Sequence, residues 1–168
     1  RILNILTREK VPAAFFVVGI NAENHLPLLK RIYRDGFEIG NHSFTHPNMA
    51  TVSAERAETE MEATRLLIEA ATGRSTILFR APYNADAEPT KEVELKPVIL
   101  SKQKNYYTVG ESIDPTDWEE GVTADSIYNR TIREYEANPE KGIILLHDAG
   151  GNRQATVDAL PRIIHYFK

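Results

Sequence analysis

Two histidines stand four residues apart in "GNHSFTHPNM", positions 40–49, with Pro47 directly after the second. An i, i+4 pair brings both imidazoles to one side of a helical turn, which suits a divalent ion held by ring nitrogens about 2 Å away. His42 and His46 are therefore candidate metal ligands. Taken alone, the pair reads equally well as loop imidazoles hydrogen-bonded to backbone. The zincin pattern H-E-x-x-H has the same spacing, but Ser43 follows His42 and that pattern's glutamate base is absent. Three further stretches combine groups that move protons or hold charge. "FRAPY" carries Arg80, Pro82 and Tyr83; "DPTDW" carries Asp114, Asp117 and Trp118; "LLHD" carries Leu145, His147 and Asp148. Each alone also reads as ordinary structure: an arginine paired with a surface carboxylate, a type I turn around Pro115, a histidine closing a strand. His25, Glu23, Glu38 and Asp86 read as solvated surface groups.

The elements that must carry these residues alternate. "AAFFVVG" (13–19) is a short apolar, β-rich run and reads as a buried strand. "AENHLPLLKRIYRDG" (22–36) reads as a helix with Leu26, Leu29, Ile32 and Tyr33 at helical spacing and Gly36 after its end. "FEIG" (37–40) is the next strand. Ser53 caps a helix running to Thr72, with Ala57, Met61, Thr64, Ile68 and Ala71 on one face and Gly73 as its stop. "TILF" (76–79) and "YYTVG" (106–110) read as strands, and Thr123 or Asp125 opens a helix through Tyr135. "GIILLHD" (142–148) is the most apolar strand. A last amphipathic helix spans 154–167, with Leu160, Ile163, Ile164 and Phe167 inward; Pro161 kinks it or marks its start. Residues 84–97, with Pro89, Pro97 and several acidic residues, read as a loop with a short helix.

Strands alternating with helices imply a parallel sheet, whose working residues sit past the carboxyl ends of the strands. All four clusters follow predicted strands, which is hard to assign to chance. Composition bounds the rest. The 168 residues suit one domain with one substantial core. A net charge of −4 offers no general attraction to nucleic acid or anionic lipid. No apolar run reaches the length of a membrane span. There is no cysteine, so disulfides, thiolate metal sites and thiol nucleophiles are all excluded.

Taken together and in order, "HSFTHP", "RAPY", "DPTDW" and "LLHD" resemble the second to fifth motifs of the polysaccharide deacetylases, carbohydrate esterase family four, also called NodB-homology domains. The resemblance runs from "PAAFFVVG" to the last helix. "FRAPYNADAEP", "SIDPTDW" and "HDAGGNRQATVDALPRII" further resemble deacetylase domains that some bacteria fuse to a membrane glycosyltransferase. The resemblance implies a distorted (β/α)7 barrel and metal-dependent N-deacetylation of a GlcNAc-containing polysaccharide: chitin oligomer, peptidoglycan or poly-N-acetylglucosamine. It implies that His42 and His46 hold a divalent metal, zinc first, with cobalt, nickel or manganese as alternatives. His147 would be the general acid and Asp117 the carboxylate that holds its ring. Arg80 would orient the base, the backbone N–H of Tyr83 would donate to the oxyanion beside Pro82, and Trp118 and Leu145 would wall an acetyl pocket.

The family's first motif, an Asp-Asp pair supplying the base and the third metal ligand, has no counterpart here: no two aspartates are adjacent anywhere in the chain. "RILNILTREKV" resembles the helix after that motif. The expectation is a single deacetylase domain over residues 1–168 that lacks its first strand, is impaired as it stands, and has any signal or anchor outside the chain. A monomer at the bacterial cell surface or beyond the cytoplasm is expected, with an N-acetylated polysaccharide as partner and no nucleic acid. The alternative function is a non-catalytic carbohydrate-binding domain of the same type; a zincin-like peptidase is the more distant rival.

Overall fold

A computed structural model of the chain describes residues 1–84 and 92–168. The described residues form two compact units, one of residues 13–110 and one of residues 1–12 with 111–168.

The first unit is built on a parallel sheet. Its strands β1 (Ala14–Val17), β2 (Glu38–Asn41), β3 (Leu78–Phe79) and β4 (Tyr107–Thr108) lie side by side in sequence order. Phe16 pairs with Gly40, Asn41 with Phe79, and Phe79 with Thr108. Glycine is required at position 40, because a Cβ there would lie 2.4 Å from the Phe16 ring. Helix α4 (Ala54–Thr72) begins as expected, with the Ser53 hydroxyl accepting from Arg56 N–H, and ends where Gly73 turns left-handed at φ 74°. Ala57 and Met61 from α4 pack with Met49, Phe79, Ala81 and Tyr106 into the core beneath the sheet. Burying a side chain the size of Met61 or Phe79 contributes roughly 1.5–3 kcal/mol.

One helix of the sequence reading is two. Helix α2 (Gly19–Glu23) stops and α3 (Leu26–Arg34) starts afresh after His25. Pro27 is the cause: it has no N–H for an i−4 carbonyl and suits the first turn of a helix, so a continuous helix through it is disfavoured. Leu29 and Ile32 are buried as expected, whereas Leu26 and Tyr33 face solvent. Part of the irregular 84–97 stretch, including Asp86 and Pro89, lies outside the described residues. From Glu92 the chain is helical, a 3-10 turn (Glu92–Leu95) leading into α5 (Lys96–Gln103).

The second unit contains α1 (Ile2–Glu9), α6 (Ala124–Ala137) and α7 (Gln154–Phe167). Thr123, not Asp125, caps α6, its hydroxyl accepting from Ser126 N–H. Ile127, Ala159 and Ile163 form the α6–α7 core. Pro161 sits inside α7 and does not start it. Phe167 is partly exposed, its ring edge-on to Tyr135 at 4.8 Å instead of buried. The expected strand at 142–148 is reduced to one parallel bridge, Ile113 to Ile144. Ser112 and Ile113 both donate to the carbonyl of Ile143, and Leu145 N–H donates to Ile113. Two donors spent on one acceptor break the regular ladder, and Ile143 is left exposed.

Candidate active site

In the first unit the site begins where β2 ends. Asn41, the last residue of the strand, is wholly buried and fully used. Its amide donates to Met61 O (2.8 Å) and the Tyr106 hydroxyl (2.9 Å), and its Oδ1 accepts from Ser43 N–H (3.0 Å). This bends the chain out of the strand at His42. The two histidines do not lie on a helical turn. They lie on an irregular loop in which Ser43 (φ 64°) and His46 (φ 60°) are left-handed, with the Ser43 hydroxyl accepting from His46 N–H at 3.1 Å. Their rings still meet, with centroids 4.9 Å apart and planes at 70°.

His42 Nδ1 lies 2.8 Å from the backbone oxygen of Arg80. A carbonyl can only accept, so Nδ1 carries a proton and the ring turns its Nε2 edge away from Arg80 O. A neighbour that fixes the tautomer in this way prepares the opposite nitrogen for a metal ion. Tyr83, left-handed at φ 61°, sets its ring edge-on to His46 at 4.9 Å. Pro82 is buried and opens the turn that carries it. Arg80 is 6% exposed, so it is buried and not the surface residue that its motif alone suggests. Its guanidinium donates to Val109 O at 3.3 Å and to the Asn84 side chain. A structural zinc site takes four protein ligands and a catalytic one three. The donor chemistry of His42 and His46 fits such an ion; among the described residues no cluster of three His, Cys, Asp or Glu groups completes it.

In the second unit Asp117 is 1% exposed and accepts three hydrogen bonds. Its Oδ1 takes one from His147 Nδ1 (2.7 Å); its Oδ2 takes His147 N–H (2.9 Å) and the Thr156 hydroxyl (2.7 Å). Burial pushes the Asp117 carboxyl up, but these donors outweigh it and hold the group below its ordinary value. The His147 ring is about one-third exposed, so a buried carboxylate holds one nitrogen while the other edge reaches solvent. The surrounding loops are tied in place. Asp114 Oδ1 accepts from Thr116 N–H at 2.9 Å, Arg130 donates to Pro115 O, and Arg153 donates to Asp117 O, Ala149 O and Gly150 O. Trp118, 52% exposed, lines an open cleft of about 470 Å³ with Glu119, Val122, Asn152 and Arg153. Leu145 is not among the cleft's lining residues. Asp148 is exposed.

The first unit thus carries paired imidazoles after a strand of a parallel sheet, and the second a histidine held by a buried carboxylate. The chain belongs to the polysaccharide deacetylase family, whose profile matches residues 1–96. It is 32% identical over 170 residues to a peptidoglycan-N-acetylglucosamine deacetylase of Bacillus cereus, covering all of this chain. The chain spans 58% of that protein's length. It superposes on the structure of the Bc1960 peptidoglycan N-acetylglucosamine deacetylase with a TM-score of 0.85 at 33% identity, over 98% of this chain and 72% of the other. It superposes almost as well on BA3943 of Bacillus anthracis, described as a pseudoenzyme of carbohydrate esterase family four: TM-score 0.83, 29% identity, 98% of this chain and 53% of that one. None of these is named as a glycosyltransferase fusion.

Sequence reasoning missed the residues that hold the site. Asn41 adjoins His42 and was legible only as a strand end. Glu60 and Thr156 occupy inward positions of α4 and α7, and a polar residue at an apolar-face position was the available signal.

Proposed function

We propose that this domain is a metal-dependent hydrolase that removes the N-acetyl group from a GlcNAc-containing polysaccharide. The observation that carries the proposal is the buried Asp117 carboxylate that fastens both the ring and the backbone N–H of His147. A domain that merely binds sugar has no use for a buried charge spent on orienting an imidazole. With Nδ1–H engaged by Asp117, Nε2 is the nitrogen that delivers a proton to the departing amine as the C–N bond breaks, and the carboxylate stabilises the imidazolium beforehand.

His42 and His46 would hold the ion, zinc or another divalent metal, through ring nitrogens. When bound, such an ion polarises the acetamide carbonyl and acidifies a water. The Tyr83 backbone N–H would donate to the developing oxyanion. The Arg80 guanidinium would orient the base. The 168 residues contain no adjacent aspartates, and we assign the base to none of them. For that reason the proposal includes impairment of residues 1–168 by themselves.

The polymer acted on by the Bacillus cereus relative makes peptidoglycan the first substrate to try, with chitin oligomers next. A monomer acting outside the bacterial cytoplasm accords with such polymers. Among the described residues no helix is long and apolar enough to cross a membrane. The pseudoenzyme neighbour favours one second reading, a non-catalytic sugar-binding domain. Acetate release from N-acetylglucosamine oligomers with added zinc decides between them, run on residues 1–168 and on the same residues preceded by a strand bearing an Asp-Asp pair. Turnover only in the longer protein is expected. Sugar binding with no turnover in either would leave the binding-domain reading standing.

A further inference from the structure

Glu60 is 2% exposed in the middle of a solvent-facing helix, and no step of the proposed reaction uses it. A carboxylate is seldom buried unless each oxygen is matched by donors. Here both are. Oε2 accepts from the backbone N–H groups of Phe44 (2.8 Å) and Thr45 (2.6 Å). Oε1 accepts from the Thr45 hydroxyl (2.7 Å) and from Arg56 Nε (2.8 Å). Phe44 and Thr45 are two of the three residues between the two histidines.

The other side of the same loop is also held. Gly19 N–H, at the start of α2, donates to Ser43 O, and Ile20 N–H donates to Phe44 O, each at 2.9 Å. A Cβ on Gly19 would lie 2.2 Å from the Phe44 ring, so the loop is pressed against the helix start as closely as backbone allows. The carbonyls of Ser43 and Phe44 are thus satisfied by α2, and the N–H groups of Phe44 and Thr45 by Glu60. Between these two grips the chain is left-handed at Ser43 and at His46, a conformation that costs free energy for residues with a Cβ and persists only when its surroundings impose it.

We infer that Glu60 is a positioning residue: its carboxylate fixes the 43–46 loop so that the His46 imidazole stands beside that of His42 in ligand geometry. This rests on the reading of the two histidines as metal ligands. The requirement is for reach more than for charge. Aspartate at position 60 would keep the charge but, one methylene shorter, could not span to both amides. Glutamine would keep an oxygen for the two amides and give up the charge.

The test uses residues 1–168 with zinc ion as the probe, titrated against a chelating dye, and amide hydrogen exchange at Phe44 and Thr45 in metal-free protein. Glu60→Asp should weaken zinc binding about 10–100-fold, as loss of a group that orients a ligand does, and should speed exchange at both amides. Glu60→Gln should retain most of the affinity and protection. Ser53→Ala, which weakens the same helix at its cap without touching the loop, should lower the melting temperature and leave zinc affinity unchanged. Equal zinc affinity in Glu60→Asp and the unsubstituted chain would overturn the inference. So would a loss in Ser53→Ala as large as that in Glu60→Asp, since the effect would then be general helix stability. Failure of the unsubstituted chain to bind zinc at all would refute the metal-ligand reading first, and the role of Glu60 with it.

Discussion

Thr156→Val replaces one hydroxyl with a methyl in a side chain that is wholly buried in α7. Shape and β-branching are kept, so the perturbation is close to the removal of one donor from Asp117. That donor sits 2.7 Å from Oδ2, which also accepts the His147 backbone N–H. A hydrogen bond to a charged group contributes about 1.5–3 kcal/mol, and a buried acceptor without it has no water to turn to. The expected loss of stability at neutral pH is therefore about 2 kcal/mol. Its pH dependence has a definite sign. The carboxyl of Asp117 is held below its ordinary value against the opposing effect of burial. Its contribution is present above the unfolded value, about 3.9 for aspartate, and is lost as pH falls from there through the lower folded value. Thr156 supplies part of that contribution. The variant's deficit should be full at pH 7 and shrink as pH drops below about 4. Urea unfolding followed by fluorescence suits the measurement, because Trp118 is the only tryptophan and belongs to the same unit as Asp117. A deficit that is the same at pH 7 and at pH 3, or absent at both, would refute this account of the hydroxyl.

His42→Ala and His46→Ala should each abolish measurable zinc binding by dye competition while leaving the melting curve of the metal-free chain within a few degrees; full occupancy in either variant would remove that histidine from the site. In an active form of the domain, Asp117→Asn should lower kcat about 10²–10⁴-fold, the usual worth of a positioned acid or base, with KM little changed; a change confined to KM would assign Asp117 to substrate binding. Phe79→Ala empties the centre of the sheet core, where Phe79 is 0% exposed, and should cost about 3–5 kcal/mol by urea unfolding. A cost under about 1 kcal/mol would mean that Met49, Met61 and Tyr106 close the cavity at little expense.

Much of the fold was legible before any coordinates because it depends on neighbours in sequence. Ser53, Thr123 and Gly73 bound their helices by bonds to residues three or four away; Ser53 and Gly73 were read as the ends of α4, and Thr123 as one of two candidate caps of α6. The alternation of apolar runs with amphipathic stretches predicted the parallel sheet of residues 13–110. The choice of His42, His46, Asp117 and His147 as candidate chemical groups likewise rested on residue type and order.

Other features had no local signature. Pro27 divides α2 from α3, although the apolar spacing on either side reads as one helix. Residues 142–148 are apolar enough for a strand, yet a strand exists only where a partner offers a matched ladder, and here one carbonyl takes both donors. The spacing of the histidines suggested a helical turn; a loop with two left-handed residues carries them instead, because Asn41, the start of α2 and Glu60 between them satisfy the loop's polar groups. The His42 tautomer depends on a carbonyl 38 residues away, and the grip on Asp117 on a hydroxyl 39 residues away. Residue types determined which groups can do chemistry. Their protonation, orientation and strain were decided only by tertiary contacts, because buried polar atoms find their partners through space and not along the chain.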